Sequence, residues 1–266
     1  MPDLWFDLLA CLTFDVDSSV TRLTAQNQHL DYHRIFGGQL LAQFIRAASL
    51  ASPEKIVKSL HAVFPREGRA DEPVVYDVVR HHEGRSFSTL SITATQAKRP
   101  IGVASISMHV SEDGPDRQTV ERVGEVPGPD HDVDLGLIPW ETRTAADLNA
   151  TSTGPPEFEL WIRTPPVDPV LAPALAAYAT DLTLIGTALR PHDGLGQLGN
   201  GTQFTSAVTS HTVWFHRPFT TDRWLLLRQH SPLLAHGRCF GRGDILTSDG
   251  LLVASYGQES LLRIPN

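Results

Sequence analysis

The sequence predicts an α+β protein built from one folding unit used twice, and three observations carry that prediction. Leu60-His61-Ala62-Val63-Phe64-Pro65-Arg66 is echoed later by His211-Thr212-Val213-Trp214-Phe215-His216-Arg217-Pro218. Each copy leads on to an apolar segment, then to a Gly-Arg pair (Gly84-Arg85, Gly237-Arg238) and then to Val-Ala-Ser (Val103-Ala104-Ser105, Val253-Ala254-Ser255). These landmarks keep their order about 150 positions apart, which is how an internal duplication reads. The second observation is a stretch of helical periodicity followed by alternating segments of strand length, the pattern of an antiparallel sheet with a helix on one face. The third is a change of composition between Ser111 and Pro156, where acids, glycines and prolines accumulate as in a solvated connection. The expected division is a first unit over 1–112, a linker over 113–154 and a second unit over 155–266.

Taken in order, Leu8 to Gln28 mixes short apolar groups with polar residues and is left as a lead-in strand or helix. The glycine pair Gly37-Gly38, followed by Gln39, precedes Leu40, Leu41, Phe44, Ile45 and Ala48, which recur at helical spacing. A helix start leaves N–H groups outside its own ladder, so this turn is either a simple helix entry or a backbone site for a carbonyl or phosphate oxygen. Leu60 to Phe64, Val74 to Arg80, Ser86 to Gln96 and Ile101 to Val110 are β-branched and alternating, with turn-like connections at Glu67-Gly68-Arg69 and Glu83-Gly84-Arg85. In the second half, Phe158 to Arg163 reads as a strand. Pro169 to Leu189 reads as a helix, because Leu171, Leu175, Tyr178, Leu182 and Ile185 recur three or four apart. The closing strand is Leu251 to Leu262.

Composition narrows the class. With 266 residues and 41% hydrophobic content the chain can bury a substantial core. Cys11 and Cys239 stand in different halves with no metal-ligand spacing, as reduced thiols would. The acids of Met1-Pro2-Asp3-Leu4-Trp5-Phe6-Asp7 replace the cations of a signal peptide, and no apolar run is read as approaching the ~18 residues of a membrane span. The expectation is a cytoplasmic protein. A net charge of −8 disfavours nucleic acid and anionic membrane as partners. His131 and Asp132 lie among flexible acids and make no metal set, so neither metal nor cofactor is expected.

Two polar residues stand out against apolar surroundings. Asp181 lies within the second helical pattern beside Ala177, Leu182, Leu184 and Ile185, and burying its carboxylate is costly without hydrogen-bond donors. It either faces solvent, caps a local turn, or is a buried, positioned general base. Gln258 lies in the last strand, and counting from the shared Val-Ala-Ser its counterpart in the first copy is Met108. An amide where the first copy holds an apolar side chain marks either a functional group or an exposed edge position.

Phe36-Gly37-Gly38-Gln39, Ala177-Tyr178-Ala179-Thr180-Asp181-Leu182, the string from His211 to Phe219 and Val253 to Glu259 resemble the acyl-CoA thioesterase II family. The resemblance runs from about Phe36 to Ile264, and the Trp-Phe-His-Arg-Pro-Phe string is its most specific part. It implies a double hotdog fold, in which each unit wraps an antiparallel sheet around a central helix. It also implies hydrolysis of acyl-CoA to free acid and CoA without metal or covalent intermediate, in a protein associated as two or more chains. The family's water-orienting aspartate matches Asp181 and its glutamine matches Gln258. A carboxylate that accepts the water's proton and an amide that fixes its position suit that chemistry. The family's third group, a strand hydroxyl, falls at Val208 when counted back from His211, with Thr209 and Ser210 offset by one and two. A one-residue offset turns a strand side chain to the other face, so Thr209 takes that place only where a bulge shifts the register. A hydratase or dehydratase using His192, His211 or His216, and a non-catalytic acyl-CoA-binding protein, stay open on the sequence alone.

Overall fold

A computed structural model describes residues 4–17, 20–30 and 34–265. Met1 to Asp3 of the acidic N-terminus, and Ser18 and Ser19 of the lead-in, lie outside the described residues. The chain up to Arg117 makes the first of two units, together with Val170–Tyr178 and Thr212–Phe215. Gln118–Pro169, Ala179–His211 and the chain from His216 onward make the second.

The first unit opens with α1 (Leu4–Cys11), β1 (Asp15–Val16) and β2 (Arg22–Ala25), so the undecided lead-in is one short helix and two short strands. The helix expected after the glycine pair is α2 (Gly37–Ala51), and the four expected strands are β3 (Ile56–Val63), β4 (Val74–Glu83), β5 (Phe87–Gln96) and β6 (Arg99–His109). They pair antiparallel in the order β1-β2-β4-β5-β6-β3. Alternation decides which face meets the helix: Leu90, Ile92 and Ala94 of β5 and Ala104, Ile106 and Met108 of β6 are buried. On α2, Leu41, Phe44 and Ile45 are buried as the 3.6-residue period requires. Each such side chain contributes ~1.5–3 kcal/mol of burial free energy. The β5–β6 turn is tight, with positive φ at both Ala97 and Lys98.

The rest of the chain forms β7 (Glu141–Arg143), β8 (Glu157–Arg163), α3 (Ala172–Thr180), α4 (Leu184–Leu189), β9 (Thr205–Phe215), β10 (Leu225–Ala235), β11 (Arg238–Thr247) and β12 (Leu252–Arg263), all in the second unit except α3 up to Tyr178 and β9 from Thr212, which belong to the first. These strands lie in the order β9-β12-β11-β10-β8-β7. The β10–β11 turn is tight in the same way as β5–β6, with positive φ at His236 and Gly237.

Two sequence expectations change. The acidic connection is not a free tether: from Gln118 it belongs to the second unit, where Val120, Val123 and Val126 pack on Trp161, Leu226 and Leu246. Gln118 pins it by donating to the Gly250 carbonyl (2.7 Å) and accepting from the Leu252 amide (3.0 Å). Arg228 donates to the carbonyls of Glu121 and Arg122, both at 3.1 Å. The expectation that no apolar run reaches membrane-spanning length is also corrected. Pro169–Leu189 is long and apolar enough by length and composition alone, but it is the helical core segment of this fold and most of it is buried.

Candidate active site

The candidate site is built where the second helical segment breaks. The periodic pattern predicts one helix through Leu189, but α3 stops at Thr180 and α4 starts at Leu184, leaving Asp181, Leu182 and Thr183 in the gap. Threonine and aspartate side chains compete with the helical backbone for hydrogen bonds, and here the threonines find partners on the sheet. Thr180 Oγ1 is 2.9 Å from His211 Nε2 on β9. Thr183 Oγ1 donates to Gln229 Oε1 on β10 at 3.0 Å, and Thr187 Oγ1 reaches the same oxygen at 3.4 Å. Asp181, between these anchors, is 5% exposed, which settles the solvent-facing alternative.

Gln258 is 2% exposed, so it is no exposed edge amide. Its Oε1 lies 2.8 Å from His211 Nδ1, and its Nε2 donates to Ser260 Oγ at 3.1 Å. An amide has two N–H groups and two acceptor lone pairs, so these contacts leave one of each for a ligand. His211 is wholly buried and its ring stacks on Tyr256, 6.1 Å between centroids and 10° from parallel. Burial pushes its pKa down to about 4, with the Gln258 contact opposing, so the ring is neutral near pH 7.

On β9, Thr205 and Ala207 are exposed whereas His211 and Val213 are buried. Val208, Thr209 and Ser210 between them are half-buried. Thr209 Oγ1 donates to the Glu259 carbonyl at 2.9 Å, the residue after Gln258.

Gly37, Gly38 and Gln39 begin α2 in the first unit. The Gln39 amide is committed inside that unit: Oε1 accepts from the Gln28 amide at 2.9 Å, and Nε2 donates to Asn27 Oδ1 (2.8 Å) and Gln43 Oε1 (3.1 Å). Gly38 meets a packing demand, since a Cβ there would stand 2.4 Å from the Tyr178 carbonyl oxygen.

The sequence points to Asp181, Gln258 and Thr209, offers His211 only as a histidine for a hydratase or dehydratase, and gives no role to Thr180 or Gln229. The available signal for Thr180 was its place beside Asp181. Nothing local to His211 announces that its ring is buried between two polar partners.

A helix laid on an antiparallel sheet, used twice in one chain, with a buried carboxylate where the second helix breaks, defines a double hotdog protein with a site fit for hydrolysis. Comparison with known proteins narrows the class. The family described as acyl-CoA thioesterase N-terminal domain matches residues 26–109, and the one described as acyl-CoA thioesterase C-terminal domain matches residues 110–262. Acyl-CoA thioesterase 2 of Haemophilus influenzae is 34% identical, covering 99% of both chains. Human acyl-coenzyme A thioesterase 8 is 29% identical over 87% of this chain and 81% of its own. The crystal structure of an acyl-CoA thioesterase II from Mycobacterium marinum superposes with a TM-score of 0.80 at 32% identity, covering 97% of this chain and 98% of that one. The chain belongs to the acyl-CoA thioesterase family.

Proposed function

We propose that this protein hydrolyses acyl-CoA thioesters to the free acid and CoA, using a water held by Asp181 and Gln258. The observation that carries the reading is the buried Asp181 carboxylate in a helix break whose preceding residue is tied, through His211, to Gln258. In this mechanism the water gives its proton to the Asp181 carboxylate as its oxygen attacks the thioester carbonyl carbon. The free N–H and lone pair of Gln258 set the water's orientation. The tetrahedral intermediate then expels the CoA thiolate, a better leaving group than an alkoxide because a thiol is far more acidic than an alcohol. Asp181 returns the proton to it. Thr209 serves as the third group: its hydroxyl donates to the Glu259 carbonyl and keeps its lone pairs for the water. In the first unit by itself, the N–H groups of Gly37 and Gly38 at the start of α2 are a proposed backbone site for a carbonyl or phosphate oxygen. Resemblance to the family also supports association of two or more chains, which light scattering tests.

A panel of acyl-CoA substrates with a thiol-release readout tests the activity, and Asp181→Asn tests the base. The Asn side chain keeps the shape but takes no proton, so turnover falls by ~10²–10⁴. Hydrolysis by that variant within about threefold of the parent would remove Asp181 from the role.

A further inference from the structure

The buried chain Thr180–His211–Gln258–Ser260 does more than satisfy polar groups. A neutral imidazole has one N–H, and both ring nitrogens of His211 have partners: Gln258 Oε1 at 2.8 Å from Nδ1 and Thr180 Oγ1 at 2.9 Å from Nε2. An amide oxygen only accepts, so Nδ1 carries the hydrogen and donates, and Nε2 accepts from the Thr180 hydroxyl. The opposite tautomer requires the Gln258 amide to be turned over, with Nε2 facing the ring. Ser260 tolerates either arrangement, because a hydroxyl donates as readily as it accepts. The His211 tautomer and the Gln258 orientation are therefore set together, in a ring that lies 10° from parallel to Tyr256.

We propose that His211 is a positioning residue: its Nδ1–H tautomer fixes which way the Gln258 amide faces the attacking water. The proposal rests on the reading of Gln258 as the water-orienting amide. His211 touches neither water nor substrate and is not a base here. A reversed Gln258 amide would present an acceptor where the bound water meets a donor, and the water would lose its aim at the thioester carbon while substrate binding is untouched.

Two substitutions separate this role from packing. In His211→Asn the side-chain amide nitrogen falls near the Nδ1 position, so donation to Gln258 survives and the Thr180 contact is lost. In His211→Gln the longer side chain reaches the Nε2 position, so Thr180 keeps a partner and Gln258 loses its donor. His211→Gln is expected to lower kcat by about tenfold or more with KM changed less than twofold, and His211→Asn to lower it less than about threefold. Glutamine is the closer match to histidine in volume, so a role in packing alone predicts the reverse order and overturns the proposal. Nitrogen-15 NMR of the intact protein gives a second readout independent of the variants: a pyrrole-type Nδ1 and pyridine-type Nε2 support it, and the opposite assignment sinks it. Gln258→Ala distinguishes the layers. If it cripples turnover while His211→Gln does not, only the positioning role falls. If it leaves turnover intact, the reading of Gln258 falls and takes the positioning role with it.

Discussion

Gly38 and Tyr178 meet so closely that a methyl group on the glycine would lie 2.4 Å from the tyrosine's carbonyl oxygen and 2.5 Å from Phe36 Cε1. Backbone on one side and a ring on the other leave the contact little room to give, since the Phe36 ring is itself packed edge-on against Tyr178 at 5.0 Å. Gly38→Ala is therefore expected to destabilise the protein by ~1–3 kcal/mol through overpacking. Chemical denaturation of parent and variant checks this, and equal midpoints would show that the helix start shifts freely.

The strand hydroxyl is decided by three variants compared side by side. Thr209 Oγ1 already donates to the Glu259 carbonyl at 2.9 Å. Thr209→Val should cost about two- to tenfold in turnover, the worth of one neutral hydrogen bond to the water, and Val208→Thr should be neutral or harmful. Ser210→Ala should change little. A gain of activity in Val208→Thr with no loss in Thr209→Val would place the family's hydroxyl position at Val208 instead.

His211 gives stability a pH dependence of known sign. Its folded pKa of about 4 lies below the ordinary value of 6.5, so between those two pH values the unfolded chain binds a proton that the folded chain does not. The associated stabilisation is fully present above pH ~6.5 and is lost as pH falls toward 4, on the order of 3 kcal/mol across the window. Denaturation curves from pH 7 to 4 for the parent and for His211→Asn should converge or cross as pH falls, because the variant lacks this component. Parallel pH dependences would refute it.

Both cysteines should be inert in the folded protein. Cys11 and Cys239 are buried free thiols, and burial pushes the Cys11 thiol well above its ordinary range and Cys239 up to about 11. The thiolate is the reactive form, so alkylation at pH 8 should be slow at both sites until denaturant is added. Rapid native labelling of either would show local opening of its surroundings.

The strands were legible because period-two alternation is a direct imprint of a sheet with one buried face; β4, β5 and β12 begin or end within a residue or two of the expected bounds at most of their termini. Asp181 and Gln258 were legible for the opposite reason, as polar residues where the pattern demands apolar ones. The break after Thr180 was not, since Leu182 and Ile185 continue the helical spacing across it. Its cue was the polar run Thr180, Asp181, Thr183, which only tertiary partners such as Gln229 turn into a break. The packing of Val120, Val123 and Val126 was hidden among acids and prolines, where isolated valines carry no period. The buried place of His211 between Thr180 and Gln258 was not legible, because a sequence shows neither burial nor which ring nitrogen holds the proton.

Met108 and Gln258 occupy matching places in the duplicated pattern, and both are buried on the helix side of their sheets. The first unit thus lacks the amide that the proposed mechanism assigns to the second. For stoichiometry this means that a tight, slowly released inhibitor mimicking the tetrahedral intermediate should titrate one equivalent per polypeptide, not two. For descent it means that the two copies have parted at this position, a thioether side chain in one and an amide in the other.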